Sequence, residues 1–297
     1  MELRHLKYFI AVAEELPFAR AAGRLHLAQP SLSKQIKQLE QELGFPLFYR
    51  TKQRVELLDA GHVSLDEAHR ILRQAENAVE SARRAHTGQS GRLLIGFSAS
   101  ATLEVLPKVL RKYLELYPNV TVELSEMTTI RATELVLDSP LSVGLLRSPS
   151  LLNKELFSIE TILREPFVVA VPDSHPAAKQ DSVRIKTLAG EPFIVPPRQP
   201  GWDYADTIFQ ILRENAVEPR IVQEARQALA VVSLVAGGLG VALVPASFSN
   251  VRLPGVTYRP IKGRSLTTDL AMVWKRNSRA STLRVFLDVV RAEYPKR

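Results

Sequence analysis

The segment from Gln29 to Gln41 carries the sharpest local chemistry in the chain. Read as a helix at about 100° per residue, it gathers Leu32, Ile36, Leu39 and Leu43 on one face. The opposite face presents Pro30, Ser33, Lys34, Lys37 and Gln41, flanked by Ser31 and Gln38. In a major groove, Lys donates to guanine, Gln bonds adenine bidentately and Ser serves either base. Gln29 and Ser31 stand at the positive N-terminal end, where backbone N–H groups meet a phosphate. A solvated polar face would show the same pattern, so the neighbouring residues matter. Residues 45–58 read as a hairpin whose tip, Arg50-Thr51-Lys52-Gln53-Arg54, packs three cations into five residues. Such a wing touches phosphates or enters the minor groove. The candidate DNA contacts are Gln29, Pro30, Ser31, Ser33, Lys34, Lys37, Gln38, Arg50, Lys52 and Arg54.

A second set of polar residues falls after predicted strands. Ser98, Ser100 and Thr102 follow a strand and precede a helix starting near Leu103. Thr128 and Thr129 hold the same place after the next strand, and Arg147 follows the third. The C-terminal ends of strands in an open α/β sheet are where ligands bind, and hydroxyls at a helix N-terminus suit a carboxylate. Taken singly, each hydroxyl is equally well read as a helix cap, and Arg147 as a surface charge.

Other chemistry is sparse. Gly96-Phe97-Ser98-Ala99-Ser100 lacks the closing glycine of a nucleophile elbow, and His175 is the one histidine beyond residue 86. A hydrolase is therefore the weaker alternative, and no enzymatic activity is expected. Gly237-Gly238-Leu239-Gly240 is followed by no Lys-Ser/Thr pair and is read as a helix end and tight turn. His5, His26, His62, His69 and His86 form no metal-ligand grouping, and the chain has no cysteine. Neither a metal nor a cofactor is expected.

These residues need elements to hold them. At 297 residues the chain is too long for one ordinary core. The net charge of +8 invites a nucleic-acid partner, but its distribution is a poor guide. Residues 1–58 carry nine Lys/Arg against six Asp/Glu, residues 88–261 carry 17 of each, and residues 262–297 carry nine against three. Apolar runs are too short for a membrane span, and the charged N-terminus lacks a signal-peptide core, so a cytoplasmic protein is expected. Short helices are predicted near Leu3–Ala13, Phe18–Leu25 and Pro30–Gly44, with Pro17 in the first turn of the second. Leu65, Ala68, Leu72, Ala75, Val79 and Ala82 then repeat at 3, 4, 3, 4, 3, a heptad seam on one long helix. Pairing with a second chain accounts for this stripe better than packing on its own domain. Thr87-Gly88-Gln89-Ser90-Gly91 reads as a flexible linker. Beyond it, alternating strands and helices, including a strand at Phe167–Val171, predict a mainly parallel sheet in two small lobes.

The N-terminal region resembles the winged helix-turn-helix domain of LysR-type transcriptional regulators. The resemblance is carried by Ala21-Ala22, Leu25, Gln29-Pro30, Leu32-Ser33, Ile36, Leu39-Glu40, Leu43-Gly44, Leu47-Phe48, Arg50 and Ala60-Gly61 at fixed spacings. The long helix, the glycine-containing linker and the α/β region follow in the family's order. The fold expected is thus a winged helix-turn-helix domain (1–58), a linker and dimerisation helix (59–87), a hinge (88–91) and a two-lobed effector domain like periplasmic binding proteins (92–297). Lobe I would comprise 92–160 and 267–297, and lobe II 161–266. The family usually has Thr at position 58; with Leu58 here, Asp59 is expected to cap the long helix. Asp138-Ser139-Pro140-Leu141-Ser142 also departs from the family's turn.

The resemblance further implies double-stranded promoter DNA as partner, a homodimer through the long helix, a homotetramer of two such dimers, and contact with RNA polymerase. It places Ser100 and Thr129 at hydroxyl positions that hold effector carboxylates. It makes Pro197–Tyr204 a loop closing over the ligand, with Asp203 and Tyr204 facing it. The opening MELRHLKYFIAVAEE, the run LHLAQPSLSKQI and Pro245-Ala246-Ser247 look most like the branch of activators governing aromatic and chloroaromatic catabolism. The implied effectors are aromatic acids or muconate-like dicarboxylates, with a different ligand class as the alternative.

Overall fold

The computed structural model describes the chain except residues 52–53, 141, 148–151, 199–203, 226, 264–265 and 296–297, and the side chain of Ala228. Two compact units are present, Met1–Arg83 and Arg84–Arg297.

The first unit starts with α1 (Leu3–Glu15), α2 (Phe18–Arg24) and α3 (Gln29–Leu43). Phe9, Val12, Ala21, Leu32, Ile36, Leu39 and Leu47 form its core. Pro30 lies in the first turn of α3, where its missing N–H costs nothing. Pro17 sits at the N-cap of α2, one place before the first turn where it was expected. Gly44 ends α3 at φ +84°, a left-handed backbone that glycine adopts without strain. An antiparallel hairpin follows, β1 (Phe48–Arg50) with β2 (Val55–Leu57). The long helix α4 (Asp59–Thr87) then begins. Asp59 is the first helical residue and not its cap, with the Leu58 carbonyl accepting from His62 N–H; its carboxylate favours the helix start through the dipole. A side chain at Gly61 would place Cβ 2.3 Å from the Leu47 carbonyl oxygen, so α4 and the hairpin approach as closely as backbone allows.

The heptad seam divides in two. Leu65, Ala68 and Leu72 pack on the first unit's own core. Val79 is 61% exposed and Ala82 is exposed. The part of α4 beyond Leu72 therefore carries the unpartnered stripe.

The second unit is an α/β structure in two lobes. Its elements are β3 (Ser90–Phe97), α5 (Val105–Leu116), β4 (Asn119–Glu126), α6 (Thr129–Asp138), β5 (Ser142–Arg147), β6 (Phe157–Pro172), β7 (Pro192–Val195) and α7 (Ala205–Glu214). There follow β8 (Arg220–Glu224), α8 (Ala228–Ala236), β9 (Ala242–Pro245), β10 (Val256–Pro260), β11 (Thr267–Lys275) and α9 (Ser281–Glu293). The main sheet runs β10-β6-β11-β5-β3-β4, with β9 also on β6. It is mixed, contrary to the mainly parallel expectation. Within this sheet β3 pairs parallel with β4 and β5, while β11 and β6 run antiparallel to their neighbours; β7 and β8 form a separate parallel pair. The cause is β6, one continuous strand that passes from one lobe to the other. It pairs with β11 up to Pro166, and from Phe167 on with β9 and β10. The strand expected at Phe167–Val171 is the second half of this element, which runs through the expected lobe limit at 160/161. Lobe I packs Leu93, Ile95, Val109, Tyr113 and Phe286; lobe II packs Phe167, Phe193, Ile208 and Leu243.

The linker of glycine-rich composition is a packed turn. Gln89 N–H bonds the Arg84 carbonyl at 2.8 Å and Gly88 N–H that of Ala85 at 3.2 Å, closing α4. Gly88 has φ +79°, and a Cβ there would lie 2.4 Å from the Ser281 carbonyl oxygen. Ser90 and Gly91 already belong to β3.

Candidate DNA interface and effector site

Helix α3 keeps the face read from its sequence. Leu32, Ile36 and Leu39 are buried, while Gln29, Pro30, Ser31, Lys34, Lys37, Gln38 and Gln41 are exposed within the chain and Ser33 is half-buried. His5 of α1, itself buried, steadies the helix through Nε2 at 3.1 Å from Gln35 Oε1.

The wing is tied to α3 by Glu40. Its Oε1 accepts from Leu47 N–H at 2.9 Å and Phe48 N–H at 3.2 Å, and its Oε2 from Arg50 Nη2 at 2.7 Å. The Arg50 guanidinium also stacks 4.8 Å from the Phe18 ring and 5.5 Å from that of Phe48. Arg50 thus has a framework contact as well as an exposed side chain: Nη2 and its flat face are engaged within the unit, while it remains 31% exposed. Arg54 is 73% exposed and pairs with Glu56 on the wing surface. Lys52 lies outside the described residues.

In the second unit the strand-end residues separate into two groups. Ser100 and Arg147 come together. Arg147 is 1% exposed, so the surface-charge reading fails. Its Nε donates to Ser100 Oγ at 2.9 Å, and its Nη2 donates to Ser247 Oγ at 3.2 Å and lies 2.5 Å from Glu165 Oε1. Glu165 Oε2 in turn accepts from Ser247 N–H at 2.5 Å. Nη1 of Arg147 is buried with no partner among the described residues. An orphaned guanidinium nitrogen in the interior costs free energy until an acceptor meets it. Lobe I supplies Arg147 and Ser100, β6 supplies Glu165, and the 3₁₀ turn Ala246–Asn250 after β9 supplies Ser247.

The remaining hydroxyls are used locally. Ser98 Oγ donates to the Leu145 carbonyl at 3.3 Å. Thr102 is exposed and donates to the Ala99 carbonyl at 2.6 Å, which takes it out of the cluster. Thr128 caps α6, its Oγ1 accepting from Arg131 N–H at 3.5 Å. Thr129 is the first residue of α6. Tyr204 stands between the Phe167 and Phe248 rings, 6.3 and 6.4 Å from their centroids. Asp203 lies outside the described residues.

Glu165 and Ser247 were not singled out as site residues from sequence. Glu165 falls in the middle of a strand, where no local signal marks a charge as buried. Ser247 stood within the Pro245-Ala246-Ser247 likeness without a role. Among the described residues no group of three His, Asp or Glu side chains is arranged to hold a metal, and no helix is long and apolar enough to cross a membrane.

The comparisons with known proteins agree along the whole length. Residues 3–62 match the bacterial regulatory helix-turn-helix protein, lysR family, and residues 86–295 match the LysR substrate binding domain. The HTH-type transcriptional regulator AlsR of Bacillus subtilis is 39% identical over 97% of this chain and 95% of its own. The Hca operon transcriptional activator HcaR of Escherichia coli is 38% identical over 98% and 97%. Among solved structures, full-length CbnR complexed with its target DNA superposes with a TM-score of 0.86 at 30% identity, covering 99% of this chain and 100% of that one. With both family models matched and an exposed Gln/Ser/Lys helix face in its first unit, the chain belongs to the LysR family of sequence-specific DNA-binding transcriptional regulators.

Proposed function

We propose that this regulator answers to a small carboxylate effector, an aromatic acid or a muconate-like acid, held beside Arg147 and Ser100. The observation carrying this reading is the buried, unpartnered Nη1 of Arg147. A carboxylate oxygen is the acceptor best matched to it. Thr129 would line the same site, and Asp203 and Tyr204 would close it. On DNA, Gln29, Pro30, Ser31, Ser33, Lys34, Lys37 and Gln38 would read the major groove, while Lys52 and Arg54 would hold the backbone. The chain would act as a cytoplasmic activator of aromatic-compound catabolism, with RNA polymerase as its further contact; its likeness to HcaR, a transcriptional activator, supports activation.

Two chains would pair through the exposed half of α4. There Leu72, Ala75 and Val79, with Leu3 and Lys7 of α1, line a groove of about 520 Å³. Two such dimers would form the tetramer. Within each chain we place the change of lobes at 166/167, where β6 exchanges partners. Effector binding would shift the arrangement of dimers on DNA only through unequal affinity for the two arrangements.

The test is capture and sequencing of fragments retained from the genome of origin, then footprinting with and without saturating benzoate or cis,cis-muconate. A protected operator whose footprint or bend changes with one acid is expected. An unchanged footprint with every acid tried would remove the effector reading.

A further inference from the structure

The excess of positive charge near the C-terminus has no part in the readings above. Its residues fall into a pattern once the ion pairs of lobe I are followed. Within residues 92–166 and 267–295, nearly every described Lys and Arg stands at ion-pair distance from a carboxylate, from Arg92 on β3 to Arg291 on α9. The exceptions are Lys154, Lys275, Arg276, Arg279 and Arg284, all five exposed.

These five share one pole of the lobe. Lys275 closes β11, Arg276 and Arg279 lie in the turn after it, and Arg284 is in the first turn of α9. Lys154 is brought to them by the Arg276 guanidinium, whose Nη1 donates to the Lys154 carbonyl at 2.7 Å. Lys275 Nζ donates to the Leu137 carbonyl at 2.9 Å, and Ser278 Oγ to that of Pro140 at 2.7 Å. Two of the cationic heads are thus fixed by backbone carbonyls, which neutralise no charge, and each keeps further N–H donors. In the segments 137–140, 153–156 and 275–284 the five cations meet two carboxylates, Asp138 and Glu155, a net charge of +3. Surface ion pairs add little stability, so what their absence here changes is the local field.

We propose that this pole of lobe I is a second DNA contact, one that grips the phosphate backbone without reading sequence. Fixed Arg and Lys heads with spare donors suit phosphate oxygens. A protein partner fits less well, because protein interfaces centre on aromatic and apolar side chains. Among the described residues of these segments Leu156, 48% exposed, is the one large apolar side chain exposed. The charge excess of residues 262–297 then belongs to DNA binding, although it lies far along the chain from the helix that reads bases.

The experiment is operator binding by the full chain over a range of salt concentrations. Arg279→Gln with Arg284→Gln lowers the slope of log K against log salt by at least about one, since each phosphate contact contributes about 0.9. Arg111→Gln with Lys112→Gln removes the same charge from paired cations on α5 and leaves the slope near wild type. Discrimination between the operator and mutated operators stays the same in both. The chain has no cysteine, so Glu155→Cys carrying an aryl azide gives a readout that keeps all five cations. It crosslinks to operator DNA on illumination, and Glu115→Cys labelled in the same way does not. A slope unchanged in the Arg279 and Arg284 variant, an equal fall in the α5 variant, or no crosslink from position 155 overturns the contact. Transcription lost with the slope unchanged also overturns it and gives the pole to an acidic protein. If a variant does not fold, the crosslink decides.

Discussion

Glu40→Ala is the change that separates framework from DNA contact in the winged unit. The Glu40 carboxylate accepts from the Leu47 and Phe48 amides, and Leu47 is fully buried. Leaving a buried N–H unsatisfied costs about 1–3 kcal/mol. The accompanying pair with Arg50, itself 31% exposed, adds no more than about 1 kcal/mol after screening. The sum is about 1–4 kcal/mol, a large part of a domain's usual margin. Arg50→Ala leaves Glu40 its two amides. It loses only the ion pair and the stacking on Phe18 and Phe48, about 1–2 kcal/mol together. Hydrogen exchange followed over residues 44–58 measures this directly, and Glu40→Ala should speed it by more than about tenfold, Arg50→Ala by less. Operator binding against salt supplies the second readout. If Arg50 is framework, its removal weakens binding without changing the salt slope. Glu40→Ala within about 0.5 kcal/mol of wild type, or a salt slope that falls in Arg50→Ala as it does in Arg54→Ala, would refute the reasoning.

Lys34→Ala should cost operator binding about 1–3 kcal/mol and relax specificity at one base pair, whereas Arg54→Ala should weaken all sequences alike and lower the salt slope by about one; gel-shift titrations on operator and mutated operators check both. Ser100→Ala combined with Thr129→Val should remove the response to acid while operator affinity stays at the wild-type value, read by footprinting with and without the acid. Val79→Asp puts a charge on the exposed half of the α4 seam and should weaken self-association at least about a hundredfold in sedimentation, with unchanged helix content by circular dichroism.

Periodicity is a local property, and what depended on it was legible from residue order. The 3-and-4 spacing of Leu32, Ile36, Leu39 and Leu43 determines which side of α3 is buried, whatever surrounds it. The heptad from Leu65 to Ala82 marks a long helix for the same reason, and the polar residues after β3, β4 and β5 mark strand ends. Helix α8 was legible only by its end at Gly237, because its body is apolar all round and shows no period. The parallel sheet was overstated because strand direction depends on how the chain returns, and β6 crosses between lobes without a helix. Pairing over longer distances was decided by tertiary structure alone. Arg50 finds Glu40 ten positions back because the hairpin folds onto α3, and that contact gives it a framework part that residue order does not show. Arg147 meets Ser100, Glu165 and Ser247, separated from it by 47, 18 and 100 positions, because two 3₁₀ turns and the middle of β6 converge on the end of β5. Burial and charge cancellation are properties of that convergence. A residue's type states what it can donate or accept, and only the packing around it states which of those capacities is left for a ligand.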